Sequence, residues 1–248
     1  MALGRVLGHA VRLAVNLRNM RILAIDTSTE CCSAALLLSG ELRLQQEVTD
    51  RGHAMLILPM VERLLAEAEL GLRSLDGIAF GRGPGAFTGL RIAVGVAQGL
   101  GLGANLPVVG VSSLAAVADQ VGAAQGEGVL VCNDARMGEV YRGDFCRDQS
   151  GSLVPLTAET ATDPARLRVA ANVVHAAGNG LSKFPELMER LLARAIKIHG
   201  GLYPRADAVA RLAVGRFESG TATSASEALP VYVRDDVARP PAAAVTDL

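Results

Sequence analysis

Four glycines and a proline in the eleven residues Gly81-Arg82-Gly83-Pro84-Gly85-Ala86-Phe87-Thr88-Gly89-Leu90-Arg91 separate a short apolar segment, 77–80, from a helical pattern that runs from about 88 to 102. A buried strand entering a helix through a glycine-rich turn restricts the chain to α/β architectures. The glycines allow positive φ and the close approach of another backbone or an anion, and the first turn of the helix offers unpaired N–H groups. A tight turn that packs a helix onto a sheet predicts the same letters. Standard phosphate loops fit poorly. A Walker A loop needs a lysine, and none is here. Gly81-x-Gly83-x-x-Ala86 matches a dinucleotide fingerprint but lacks the acidic residue about twenty positions on, and the pattern recurs inside the helix at Gly99-x-Gly101-x-x-Ala104.

The elements around this junction make a recognisable order. Segments 21–26 and 32–38 read as strands, and after Ser39-Gly40 a third follows in which Leu42, Leu44, Gln46 and Val48 alternate with Arg43, Gln45 and Glu47. Helical spacing takes over at 58–70, where Ile57, Met60, Val61, Leu64, Leu65 and Ala68 form one stripe; Pro59 sits in its first turn or kinks a helix that begins near His53. No charged residue occurs from Ile92 to Ala118, but Asn105-Leu106-Pro107 breaks that run into a helix of about fifteen residues and a strand at 107–111, which makes it core and not a membrane span. Interior Gly95, Gly99 and Gly101 cost about 3 kcal/mol together relative to alanine, so a close-packed neighbour is expected there. The order β-β-β-α-β-α-β-α is not the strict alternation of a Rossmann fold.

Beyond Asp119 the pattern restarts more weakly. It gives a hairpin of 129–133 and 140–145, a strand at 172–177, a Gly178-Asn179-Gly180 turn, helices at 186–197 and 205–217, and an extended segment at 229–234. The organisation expected is a first lobe over 20–125, a second and reduced lobe over 126–234, and a disordered tail over 235–248. The first nineteen residues carry Arg5, His9, Arg12 and Arg18 and no acid. They read as a basic targeting segment or as sequence ahead of a true start at Met20; the immediate strand after Met20 favours the second.

A net charge of −1 and a pI near 6.4 give the chain no electrostatic footprint for nucleic acid, and with 3% aromatics and no tryptophan it lacks base-stacking platforms. Cys31, Cys32, Cys132 and Cys146 form no Cys-x-x-Cys pair, and His9, His53, His175 and His199 are scattered, so the expectation is reduced thiols, packing histidines and no metal site. Ser112 and Ser113 lie where they would cap a helix, with no nucleophile elbow around them.

The motifs Asp26-Thr27-Ser28-Thr29-Glu30, His53-Ala54 with Leu58-Pro59, Gly83-Pro84-Gly85-Ala86-Phe87-Thr88-Gly89-Leu90-Arg91-Ile92, Val111-Ser112-Ser113-Leu114, Asp134-Ala135-Arg136-Met137-Gly138-Glu139-Val140-Tyr141 and Pro230-Val231-Tyr232-Val233-Arg234 together resemble the TsaB (YeaZ) family. The resemblance implies an actin/Hsp70/sugar-kinase-like α/β fold of two lobes, the second reduced. It also implies a cytoplasmic role in making N6-threonylcarbamoyladenosine beside the anticodon of tRNAs reading codons that begin with A. In that picture catalysis belongs to a TsaD-type paralogue to which the chain binds, a TsaE-type ATPase joins the complex, tRNA is met only through the complex, and the chain alone forms a homodimer.

The paralogue carries a His-x-x-x-His metal pair after the strand matching 108–111, where this chain has Ser112-Ser113-Leu114-Ala115-Ala116-Val117. The partner surface implied comprises His53, Ile57, Met60, Val61 and Leu64 with Val94 and Gln98, unless both helices simply cover their own sheet. Gly83, Gly85, Thr88, Gly89 and Arg91 are assigned to a structural loop. Asp26, Thr27 and Ser28 stand either as a vestigial nucleotide loop or as a turn closed by Asx and Ser/Thr hydrogen bonds. No cofactor is expected, unless a nucleotide sits at the interface of the complex. Arg82, Arg91 and Arg136 are candidates for RNA phosphate or a partner carboxylate. Two other function classes remain: an ATPase of the sugar-kinase type or a peptidase, and a self-associating module.

Overall fold

The computed structural model describes residues 20–234; the basic segment 1–19 and the tail 235–248, with the expectations made for them, lie outside the described residues. Strands β1 (Arg21–Asp26), β2 (Cys31–Leu38) and β3 (Glu41–Val48) form an antiparallel meander. β1 pairs parallel with β4 (Gly77–Gly83) and β4 parallel with β5 (Val108–Ser112), giving the order β3-β2-β1-β4-β5. The apolar runs of β1 and β2 are buried on both faces, and alternation along each strand deals them into two cores. Leu23, Ile25, Ala34 and Leu36 face one side; Ile22, Ala24, Ala35 and Leu37 face the other.

The second sheet holds β6 (Gly128–Asp134), β7 (Val140–Arg147), β8 (Leu153–Pro155), β10 (Val173–Gly178) and β11 (Lys197–Gly200), with β9 (Thr160–Thr162) also on β7. Read as β8-β7-β6-β10-β11, its order and strand senses repeat those of the first sheet. This is the two-lobed actin/Hsp70/sugar-kinase arrangement with a reduced second lobe. The reduction is in the crossovers. Between β3 and β4 lies the 15-residue helix α1 (His53–Glu67), whereas the equivalent stretch of the second lobe has a three-residue 3-10 turn at Pro164–Arg166. Between β4 and β5 lies the 18-residue α2 (Phe87–Ala104); α4 (Pro185–Leu192), its counterpart, has 8.

Two helices cross between the lobes and correct the expected division at 125/126. α3 (Ser113–Val121) follows the first sheet in sequence, yet Leu114, Val117 and Ala118 pack against Val129, Val131 and Phe145 of the second. Conversely α5 (Ala206–Glu218), which follows the second sheet, lays Ala206, Val209, Ala210, Ala213 and Val214 on Ile22, Ala24 and Leu37 of the first. Its Phe217 ring fills the space beside Gly77, where a Cβ would overlap it. The small side chains of α5 let it lie close on the sheet, and nothing in its stripe names which sheet.

α1 begins at His53 and holds Pro59 in its interior, so the proline sits within the longer of the two helices that the sequence allowed. α2 reaches 18 residues with a mean hydropathy of 1.2, long and apolar enough by itself to cross a membrane; its inner face, Leu90, Ala93, Val94 and Ala97, is buried against the sheet. It ends on Asn105 in the left-handed conformation, one of the few residues that adopt it readily. The expected close neighbour exists only at Gly101, where a Cβ would lie 2.7 Å from the Ala225 Cβ; Gly95, Gly99 and Gly103 face open space. The helix predicted over 186–197 stops at Leu192, Ala195 turns left-handed at φ 55°, and β11 follows. The segment 229–234 is extended but pairs with no sheet.

Candidate functional site

The β1–β2 loop, the glycine block, the start of α1 and the β6–β7 loop converge on a cavity of about 490 Å³ between the lobes, lined among others by Thr27, Thr29, His53, Gly85, Arg136 and Tyr141. Asp26 does not line it. Its side chain is fully buried: Oδ1 accepts hydrogen bonds from the Ser28 N–H (2.8 Å) and hydroxyl (2.7 Å), while Oδ2 has no partner and lies against Gly81. Burial pushes its pKa up to about 6 even though the Ser28 hydrogen bonds pull it down. Of the two readings of Asp26-Thr27-Ser28, the geometry matches the Asx-closed turn.

The glycine block is explained by the same loop. Thr27 Oγ1 donates to the Gly89 carbonyl (2.7 Å), and the Ala86 N–H donates to the Ser28 carbonyl (2.7 Å). A Cβ on Gly85 or Gly89 would overlap the Ser28 or Thr27 carbonyl oxygen. What approaches closely is therefore another backbone, and the glycines are needed for that contact. Gly83, at φ 106°, packs beneath the Val231 carbonyl, while Thr88 is exposed on the first turn of α2. Arg91 lies over the Phe87 ring at 3.8 Å and donates from Nε to the Tyr232 hydroxyl (3.3 Å).

The second lobe contributes charge to the cleft. Asp134 accepts from the Arg136 N–H (2.9 Å) and pairs with Lys183 (2.5 Å) and the Arg136 guanidinium (3.4 Å). Burial acts to raise its pKa, but Lys183 and Arg136 outweigh it and hold the carboxylate below its usual range. Arg136 also reaches across to Glu30 of the first lobe (2.5 Å), which accepts a second hydrogen bond from Asn179 (3.2 Å). Arg136, Met137 and Gly138 are all left-handed, at φ 61°, 54° and 79°, and leave Met137 87% exposed at the loop tip. The segment 228–234 straps the two lobes together. Gln98 donates to the Ala228 carbonyl (2.9 Å), the Val231 N–H to the Arg82 carbonyl (2.7 Å), and Arg234 to the Ala135 carbonyl (3.3 Å), with an ion pair to Glu139. Asn179 and Lys183 escaped the sequence reading; the signal was the Gly178-Asn179-Gly180 turn, which ends β10 as the glycine block ends β4.

Five of the expected partner residues face inward. Ile57, Met60, Val61, Leu64 and Val94 belong to the core between α1, α2 and the first sheet, because the apolar stripe of each helix meets the sheet before it can meet anything else. Gln98 is held by the strap, and His53 Nε2 lies 2.8 Å from the Thr29 carbonyl. The outward face of the same helix pair shows Met55 (79% exposed), Leu58 (42%) and Leu102 (62%), with the open backbone of Gly95, Gly99 and Gly103.

Other nucleophile candidates are closed off. Burial raises the Cys31, Cys32 and Cys132 thiols to about 12, which keeps them protonated and unreactive. Ser112 caps α3, accepting from the Leu114 (3.1 Å) and Ala115 (3.0 Å) N–H groups while donating to Glu159; Ser113 is buried. Among the described residues no three His, Cys, Asp or Glu side chains converge as a metal set.

A family model described as TsaD, tRNA N6-adenosine threonylcarbamoyltransferase, matches residues 44–231. The tRNA threonylcarbamoyladenosine biosynthesis protein TsaB of Escherichia coli is 38% identical over 226 residues, covering 88% of this chain and 96% of that protein. The protein of the same name from Haemophilus influenzae is 36% identical, covering 89% and 96%. Among solved structures, YeaZ from Pseudomonas aeruginosa superposes with a TM-score of 0.77 at 42% identity, covering 86% of this chain and all of that one.

Proposed function

The chain belongs to the TsaB (YeaZ) family, and from that premise we propose that it serves tRNA threonylcarbamoyladenosine biosynthesis as a non-catalytic scaffold subunit. It would act in the cytoplasm by binding the TsaD-type paralogue that forms N6-threonylcarbamoyladenosine next to the anticodon of tRNAs reading ANN codons. A TsaE-type ATPase shares the complex in this reading, and tRNA is met through the assembly.

The observation that carries it is the start of α3. Where the catalytic paralogue presents two histidines, this chain has a capping Ser112 and then Ser113, Leu114, Ala116 and Val117 buried between the sheets. Imidazoles are the usual ligands of such a metal, and this segment supplies none. The inward, turn-closing Asp26 also favours a scaffold over a sugar-kinase type ATPase, since the carboxylate that ends β1 is turned away from the cleft and the loop's other acid, Glu30, is taken up by Arg136 and Asn179. A nucleotide held at the interface of the complex would meet Thr27, Thr29 and Arg136 instead.

The docking surface proposed is the outward face of α1 and α2. Met55, Leu58 and Leu102 are apolar and exposed, and Gly95, Gly99 and Gly103 open the helix backbone to close packing by an equivalent helix pair, on the paralogue or on a second copy of the chain. Met55→Glu combined with Leu58→Glu tests it. The double variant should melt within a few degrees of wild type yet lose co-purification with the TsaD-type subunit and modification activity of the mixture. Undiminished association would move the interface elsewhere, and robust tRNA modification or ATP hydrolysis by the isolated chain would overturn the scaffold reading.

A further inference from the structure

A cavity of about 410 Å³ shares no lining residue with the cleft around Thr27 and Arg136. Arg82 and Ser112 place it at the carboxyl ends of the parallel strands β4 and β5, where open α/β sheets commonly hold ligands. The second lobe contributes Phe145, Leu153 and Pro155 from β7 and β8, and the strap contributes Val231 and Val233. An apolar wall that carries only a few polar side chains is the usual make-up of a small-molecule site.

The backbone places those polar groups. Gly81 pairs with Val111 and Gly83 with Ser112, so Arg82 is the extra residue of a bulge in β4, and a bulge re-aims the side chain it carries. The strap fixes the bulge, since the Arg82 carbonyl accepts from the Val231 N–H (2.7 Å). Glu159, between β8 and β9, accepts at Oε1 from the Ser112 hydroxyl, which is itself held by the Leu114 and Ala115 N–H groups. Among the described residues neither Glu159 Oε2 nor the half-buried Arg82 guanidinium has a hydrogen-bond or ion-pair partner. The Arg82 charge reaches the Glu159 carboxylate, yet the two form no ion pair with each other. A bare anion drawn to Arg82 meets repulsion from Glu159, and a bare cation meets the reverse, so the pair selects a ligand that carries both charges. We propose that this cavity binds a small zwitterion, an α-amino acid with a small apolar side chain, whose carboxylate takes the Arg82 fork, whose ammonium takes Glu159 Oε2, and whose side chain rests on the wall of Phe145, Leu153 and Val233. The planar guanidinium matches a carboxylate bidentately, which makes arginine the suited cation for that end.

Ligand-observed NMR titration of the full chain with L-valine tests the site, against isovalerate and isobutylamine, which lack valine's ammonium and its carboxylate in turn. Wild type should bind valine about tenfold more tightly than either analogue, as each loses one charged hydrogen bond. Arg82→Met should abolish the preference for valine over isobutylamine, and Glu159→Gln, which can still accept from Ser112, the preference for valine over isovalerate. General damage to the fold would weaken all three ligands together and would not remove one preference at a time. The three-ligand comparison on wild type also stands without either variant. Equal binding of the three by wild type, no binding of valine, or an Arg82→Met chain that still prefers valine to isobutylamine overturns the proposal.

Discussion

The β1–β2 and β6–β7 loops hold equivalent places in two sheets of the same strand order, and each opens on an aspartate at the end of the first strand, Asp26 in one and Asp134 in the other. The surroundings of the two carboxylates are opposite. Asp26 is roofed by the glycine block at the start of the long α2, loses its water, and closes a turn with Ser28. After β10 the second lobe has the 3-10 turn Leu181–Lys183 and then the short α4, and Asp134 at the cleft gathers Lys183 from that turn and Arg136 from its own loop. A shared topology thus fixes where a carboxylate sits along the chain, while the residues brought against it decide whether burial is offset by cations, as at Asp134, or not, as at Asp26.

The largest expected effect that would break this contrast is at the roof. Gly89→Ala places a Cβ into the Thr27 carbonyl and should cost about 4 kcal/mol or more of stability. Gly138→Ala meets no neighbour and incurs only the left-handed penalty at φ 79°, about 1 kcal/mol. Equal urea midpoints for the two variants would show that the first loop is no more tightly held than the second.

Next in size is the titration of Asp26. Its folded pKa, about 6, lies above the ordinary 3.8. Below pH 4 both states are protonated and the group contributes nothing. Between pH 4 and 6 the unfolded chain ionises first, so stability falls, by about 3 kcal/mol in all, and levels off above pH 6. Urea unfolding across pH 4–7 should show this decline in wild type and not in Asp26→Asn; superimposable profiles would place the carboxylate in water.

The smallest effect sharpens the other half. Asp134→Asn should cost at most about 1 kcal/mol at pH 7, because its ion pairs are partly solvated. Its pH dependence has the opposite sign: with the folded pKa lowered, the wild-type advantage is present at neutral pH and is lost as pH falls through that lowered value. A wild-type advantage that instead grew on acidification would contradict the pairing with Lys183 and Arg136.

Much of this was legible in the chain. The meander of β1 to β3, the glycine junction and the α2–β5 succession were read with ends within a few residues, since long runs of consistent period and their turn residues act locally. β11 was not, because Lys197-Ile198-His199-Gly200 is too short to show a period and follows a segment that keeps helical spacing. The cleft was half legible. Asp26 with Ser28 and the aspartate hairpin stand out as letters, whereas Asn179 is marked only as part of a turn and Lys183 not at all, and both matter because β10 delivers them beside β6.

By itself the sequence determined the strand and helix order of the first lobe, the room for a close approach by a backbone or an anion at the glycine block, and an apolar stripe on α1. Tertiary structure decided the rest: that Met60 faces its own sheet while Met55 faces outward, that α3 and α5 exchange lobes, and that Asp134 meets two cations while buried Asp26 meets none. Periodicity is a property of neighbours along the chain and records that a face is apolar. Which surface that face meets, and which carboxylate loses its water, depend on pairs such as Asp26 with Gly81 or Glu30 with Arg136, which become neighbours only when the sheets have formed.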